Sequence, residues 1–203
     1  CDWSSDVCSS DLKEVLISEM VEHQKYFPVE RYDGMLKNMF LITSDMKSTG
    51  FISDGNQRAL SPRLADGVSL YQLDLNTPLE KFVEKLKQIT FQKELGTVFD
   101  KVERLQKHVT VLQKMLQIST PALVTRAAQL SKADLASKMV YEFPDLQGTM
   151  GRYYAEAQDE PYDVAVAIEE QWMPRGENAS LPENDTGIIL SLADKIDNLI
   201  GCY

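Results

Sequence analysis

Glu142-Phe143-Pro144-Asp145-Leu146-Gln147-Gly148-Thr149-Met150-Gly151-Arg152-Tyr153-Tyr154-Ala155 decides how this chain is read. Pro144 stops a helix running into it, because the ring removes a backbone donor and clashes with the preceding turn. Gly148 and Gly151 lack a Cβ, so another backbone, helix or ligand can approach closely. An arginine and two tyrosines follow at once. Taken alone, the stretch fits a helix–turn–helix corner with a buried tyrosine.

Helices are expected on both sides of this corner. Upstream, Thr120-Pro121 opens a helix, since proline suits the first helical position. Leu123, Ala127, Leu130, Asp134, Met139 and Val140 lead from there to the corner. Downstream, Val164–Met173 forms a helix with Ile168 and Trp172 four apart in the core. Pro174–Asp185 is a polar loop. Thr186–Ile200 closes the pattern, with Ile188, Ile189, Leu192, Ile196 and Leu199 on one apolar face.

Farther back, Thr77-Pro78-Leu79-Glu80 carries the signature of a capping box. Leu79, Phe82, Val83, Leu86 and Ile89 recur at helical spacing. Val98, Val102, Leu105, Val109 and Leu112 continue it after Gly96. Lysines crowd this region, with Arg104 among them. They read either as a solvated helix face or as a basic side offered to RNA phosphates.

Before residue 77 the pattern changes. Val15, Leu16, Met20 and Val21 fit a short amphipathic helix. Composition then shifts toward strand around Tyr26-Phe27-Pro28-Val29, Asp33-Gly34 marks a turn, and Met39-Phe40-Leu41-Ile42-Thr43 reads as a buried strand. Residues 13 to about 50 therefore predict a strand pair.

The first twelve residues, Cys1 to Leu12, have no apolar periodicity and resemble one translated frame of a short-read sequencing adapter. They are set aside as an artefact. Without Asp2, Asp6 and Asp11, the acidic residues fall from 31 to 28 against 21 basic ones, and the net charge from −10 to −7. Three cysteines become one, Cys202, which suits a reducing cytoplasm. An acidic chain is a poor non-specific nucleic-acid binder, so any RNA contact needs a local basic face. No apolar run is long enough to span a membrane, and no signal peptide is visible.

Several chemistries are excluded. There is no phosphate-binding Gly-rich loop with Lys-Ser/Thr, no zinc spacing and no nucleophile elbow. His23 and His108 are the only histidines. His23 reads as a hydrogen-bonded structural residue.

Four motifs, in one order, resemble the beta subunit of bacterial glycyl-tRNA synthetase. They are His23-Gln24-Lys25-Tyr26-Phe27, then Gly55-Asn56-Gln57-Arg58-Ala59-Leu60 through Arg63-Leu64-Ala65-Asp66, then Lys132-Ala133-Asp134-Leu135, and the corner itself. Pro62 and Gly67 stand where the family has alanine, which makes a regular short helix there doubtful. The resemblance covers essentially residues 13 to 203.

It implies an α+β fold: 13–76 the end of a mixed α/β domain, and 77–203 a mainly helical, degenerate HD-like domain cut short at its C-terminus. Both ends are expected to be interruptions of a longer protein. It further implies a cytoplasmic heterotetramer of two alpha and two beta subunits. The alpha subunit would hold the ATP and glycine site, and the beta subunit would bind tRNA for glycine. This piece would hold no cofactor, no metal and no catalytic residue. Candidate tRNA contacts are Lys25, Arg58, Arg63, Lys101, Arg104, Lys107 and Arg152.

Leu192-Ala193-Asp194-Lys195-Ile196-Asp197 also resembles the last acidic motif of HD-type metal-dependent phosphohydrolases, and Lys132-Ala133-Asp134 resembles the site of their paired His-Asp. Ala133 stands where a metal-binding histidine would be, leaving Asp134 and Asp194 as carboxylates without imidazoles. Two alternatives stay open: an HD-type phosphohydrolase and a non-catalytic helical interaction module. Asp134 and Asp194 would otherwise pair with Lys132, Lys195 or Arg152 at a helix junction.

Overall fold

The computed structural model describes residues 13–45, 50–117 and 120–201. The expected artefact at residues 1–12 lies outside them. Contacts divide the chain into two units, parting between Asp74 and Leu75, against an expected boundary at 76/77.

The N-terminal unit begins with α1 (Lys13–Ser18), which continues as a π-helical turn over Glu19–His23. Two antiparallel strands follow, β1 (Phe27–Glu30) and β2 (Leu36–Leu41), with Phe27 opposite Leu41 and Pro28 opposite Phe40. The turn falls at Asp33-Gly34 as expected. Gly34 takes φ +80, and the Asp33 carboxylate accepts the Met35 N–H at 3.1 Å, an Asx-type closure.

One face of this hairpin packs. Leu16, Met20, Leu60 and Leu64 form the core, with Tyr26, Leu36 and Phe40 against it. The expected buried strand is therefore only half right. Met39 is 58% exposed and Leu41 61% exposed. Successive side chains on a strand alternate faces, so packing Phe40 inward turns Met39 and Leu41 outward.

The helix around Arg58 is not short. It is α2 (Gly50–Leu75), 26 residues long with Pro62 inside it. Pro62 lies on the exposed side, where water can serve the Arg58 carbonyl that loses its partner. Gly67 is buried, and a Cβ there would just touch Val15 at 3.4 Å.

The second unit is helical. It contains α3 (Leu79–Lys85), α4 (Val98–Leu116), α5 (Pro121–Leu130), α6 (Lys138–Glu142), α7 (Thr149–Ala157), α8 (Tyr162–Glu170) and α9 (Asp185–Gly201). A small hairpin, β3 (Thr90–Gln92) with β4 (Gly96–Thr97), interrupts the helical pattern between Ile89 and Val98. α8 packs against α7 and α9, and α4 against α5 and α9. The residues Val98, Val102, Leu105 and Val109 of α4 are buried, as their spacing predicts.

Two local expectations are corrected. The capping box at Thr77 and Glu80 does not form. Pro78 is extended at the start of α3 with no side-chain cap. Gln158 replaces it, accepting the Leu79 N–H at 2.9 Å and donating to the Thr77 carbonyl at 3.1 Å. Glu80 pairs with Arg126 instead. The capping box that does form is at Thr97 and Asp100, opening α4.

The second correction concerns α9. Of the five residues read as its inner face, Ile189 is buried and Ile188 half-buried, but Leu192, Ile196 and Leu199 are 42%, 36% and 62% exposed. Its buried residues include Ser191, Asp194 and Asp197. An apolar stripe faces out because a carboxylate stripe is held in.

Candidate functional site

The corner between α6 and α7 is built around one carboxylate. Ser137 caps α6 by accepting the Val140 N–H at 3.1 Å, and its hydroxyl donates to the Asp134 carbonyl at 2.6 Å. Pro144 opens a 3-10 turn over Pro144–Leu146. Gly148 then takes φ +86 at the head of α7. The Asp134 carboxylate accepts the N–H groups of Gly148 and Gly151, so it caps α7 from outside the helix.

The two glycines answer to what presses on them. A Cβ on Gly148 would lie 2.3 Å from Trp172 Cδ1, and one on Gly151 would lie 2.6 Å from Ile168 Cγ2. Tyr154 is fully buried, with its ring centroid 6.1 Å from that of Phe82. Arg152 is held at 2.8 Å from Glu156 and 3.0 Å from Glu169. These partners, Glu156 first, raise its pKa further.

Behind the corner lies a buried ionic centre drawn from α4, the α5 end and α9. The Lys132 ammonium sits 3.8 Å above the Trp172 ring and 3.1 Å from Asp194 Oδ1. Lys101 reaches the same oxygen at 3.1 Å. Lys101 also donates to Asp197 at 3.0 Å and Asn198 at 2.7 Å. Arg104 donates to Asp197 at 2.8 and 3.2 Å and to the Leu95 carbonyl at 2.9 Å. His108 Nε2 lies 3.4 Å from Asp197.

Burial lowers the Lys132 pKa, and Asp194 works against it. Burial raises that of Asp134, opposed by the Gly148 N–H. Burial also pushes Asp194 and Asp197 up, but the facing cations outweigh it. Asp194 ends below its ordinary value, and Asp197 falls to about 2.

A sequence profile described as glycyl-tRNA synthetase beta subunit matches residues 13–203. The chain belongs to that family. It is 44% identical to the glycine–tRNA ligase beta subunit of Acaryochloris marina, over 94% of this chain and 27% of the relative. It is 44% identical to the beta subunit of Pseudomonas entomophila, over 94% of this chain and 28% of the relative. It is likewise 44% identical to a glycine–tRNA ligase of Chlamydia trachomatis serovar L2, over 94% and 19%. The chain thus spans between about a fifth and somewhat over a quarter of these curated relatives.

For this synthetase family member, the HD-like donor set does not fit a metal. Ala133 is buried and offers no donor. The Asp134 carboxylate serves the backbone N–H groups of Gly148 and Gly151, and Asp194 faces two ammonium groups. Among the described residues, no group of three or more His, Cys, Asp or Glu is placed to hold a metal ion. A cation beside Asp194 would have to displace lysines already neutralising it. The partner foreseen for the Asp194 carboxylate, Lys132, is in place. Lys195 instead donates to the Met173 carbonyl and Ser191, and Arg152 takes glutamates.

The candidate tRNA contacts scatter. In the N-terminal unit, Lys25 is exposed beside Glu22 at 3.6 Å, Arg63 lies 3.8 Å from buried Glu19, and Arg58 is exposed. In the helical unit, Lys101 is 3% exposed and so is not presented to a phosphate, while Arg104 is clamped to Asp197 with part of its side chain exposed. This corrects the reading of Lys101 as basic surface: α4 turns it inward onto the carboxylates of α9. Lys107, six residues after Lys101, is exposed. Sequence reasoning missed Trp172 and Asn198 as parts of the centre. Acids at 194 and 197 inside an apolar helix pattern were the available signal.

Proposed function

We propose that this chain is a segment of the tRNA-binding beta subunit of a glycine–tRNA ligase, working with an alpha subunit that holds ATP and glycine. The segment supports tRNA binding and subunit assembly, and the chemistry of joining glycine to tRNA takes place in the alpha subunit. The observation that carries this reading is the family match across residues 13–203, in a chain that is a minor part of its relatives. The ionic centre agrees with it: the carboxylates that a hydrolase would turn to a metal are turned here to lysines and backbone. The heterotetramer of two alpha and two beta subunits and a cytoplasmic location belong to the same proposal. Among the described residues, no helix is long and apolar enough to cross a membrane.

The test uses the complete beta subunit containing this segment. Co-expressed with the alpha subunit, it should co-purify and charge tRNA with glycine. The alpha subunit alone should form the glycyl-adenylate but fail to charge tRNA. A beta chain that ignores the alpha subunit and hydrolyses nucleotides with added manganese would overturn the proposal.

A further inference from the structure

The helical unit sorts its cations sharply. Each of its arginines is engaged inside the unit: Arg104 by Asp197, Arg126 by Glu80 and Glu160, Arg152 by Glu156 and Glu169, and Arg175 by the carbonyls of Asp145 and Gln147. Lys101 and Lys132 are buried, Lys81 pairs with Glu84, and Lys195 donates to Met173 and Ser191.

Of the other exposed lysines, Lys85, Lys87 and Lys93 lie close together in sequence, between the end of α3 and the β3–β4 turn, while Lys107, Lys114 and Lys138 lie farther along the chain. Residues 85–97 contain one carboxylate, Glu94, in a chain whose net charge is −10. Two of the three ammonium groups are held over aromatic rings. Lys85 lies 4.9 Å from the Phe82 ring centroid and Lys87 lies 4.6 Å from that of Phe99. Phe82 is buried, and Leu86, between the two lysines, is fully buried in a cluster with Val98 and Val102. The lysines therefore stand on a rigid floor, with less rotamer freedom to lose on binding than free side chains.

We infer that this lysine-bearing segment is where the helical unit meets RNA phosphates. The inference rests on the tRNA-binding reading above. Lysine is a compact point charge that neutralises phosphates. Contacts of this kind supply affinity and position. The outer lysines of α4, Lys107 and Lys114, are the competing surface.

The test uses the complete beta subunit assembled with its alpha partner, and tRNA for glycine as the probe. The triple variant Lys85→Gln, Lys87→Gln, Lys93→Gln should bind tRNA about tenfold or more weakly at moderate salt. Its slope of log affinity against log salt should flatten by about two to three. Glycyl-adenylate formation should be unchanged, and the Lys→Arg triple should restore the slope. The Gln variants remove charge without adding repulsion, so a circular dichroism spectrum like the parent's is expected. An unchanged affinity and slope in the folded triple overturns the inference. So does a flattened slope in Lys107→Gln, Lys114→Gln alone, which would leave RNA binding by this unit intact but elsewhere. An assembly that binds no tRNA in any form, parent included, overturns the underlying reading instead.

Discussion

The hairpin of the N-terminal unit and the ionic centre of the helical unit place their awkward residues in opposite ways. The N-terminal unit leaves large apolar side chains outside: Phe27, Met39 and Leu41 are each more than half exposed on one face of the hairpin. The helical unit takes charge inside: Lys101, Lys132, Asp134, Asp194 and Asp197 are buried. Side-chain type alone forecasts neither. A two-stranded hairpin packed on one side has a second face whatever residues occupy it. A bundle of helices can bury ions when opposite charges from different helices meet, and removing one partner then leaves an uncompensated charge.

The sharpest way to break this contrast is to remove a buried partner. Lys132→Ala leaves Asp194 with Lys101 alone and opens space under Trp172. Urea denaturation followed by circular dichroism should show a loss of about 3–5 kcal/mol. A loss below about 1 kcal/mol would mean the centre is wet and weak.

Next in size are the glycines. Gly148→Ala forces a side chain into φ +86 and onto Trp172, and should cost about 2–4 kcal/mol. Gly55 lies in the exposed part of α2, and a Cβ added there would meet nothing within 4 Å. Gly55→Ala should instead stabilise by about 0.5–1 kcal/mol. Two substitutions of one kind should thus move the melting temperature in opposite directions.

Acid sharpens the comparison further. The Asp197 pKa is about 2 in the folded chain, below the ordinary aspartate value of about 3.9. A depressed folded value means the stabilisation is complete above about pH 4 and is lost as pH falls toward 2. The expected loss is about 2 kcal/mol in the helical unit, read from urea midpoints between pH 5 and 2. Asp197→Asn should remove that slope in this window.

The smallest effect belongs to the hairpin. Leu41→Ser on its exposed face should change stability by no more than about 0.5 kcal/mol, since little apolar area leaves water on folding. A cost above about 2 kcal/mol in the 203-residue chain would show that this face is packed.

Much of the fold was legible where the cause is local. Asp33-Gly34 announces its turn, Thr120-Pro121 its helix start, and Pro144 with Gly148 the corner before α7. The limits of α9 came out within a residue or two, but the orientation of its second half did not. Leu192, Ile196 and Leu199 predict an inner face by hydrophobicity. What turns Asp194 and Asp197 inward is Lys101, some 90 residues earlier, and Lys132. A pairing of that sequence separation leaves no periodic trace. The same holds at Thr77, where Gln158 supplies the cap that Glu80 was expected to give.

Of the candidate site, resemblance to an HD motif drew Asp134, Asp194 and Ala133 out of the sequence, and Asp194 pairs with Lys132 beside Ala133. Their partners were visible only in part. Lys132 adjoins Ala133 in sequence and could be guessed, whereas Lys101 and Arg104 looked like surface charge because lysine and arginine usually are.

The central claim is that basic residues in this unit divide into internal fasteners and outward lysines. Amine acetylation of the native chain, quantified by mass spectrometry at each lysine over time, tests it most directly. Lys101 and Lys132 should resist the reagent until the chain unfolds, while Lys85, Lys87 and Lys107 react at the rate of free lysine within a fewfold. If Lys101 is acetylated as fast as Lys107 under native conditions, the buried ionic centre is not there.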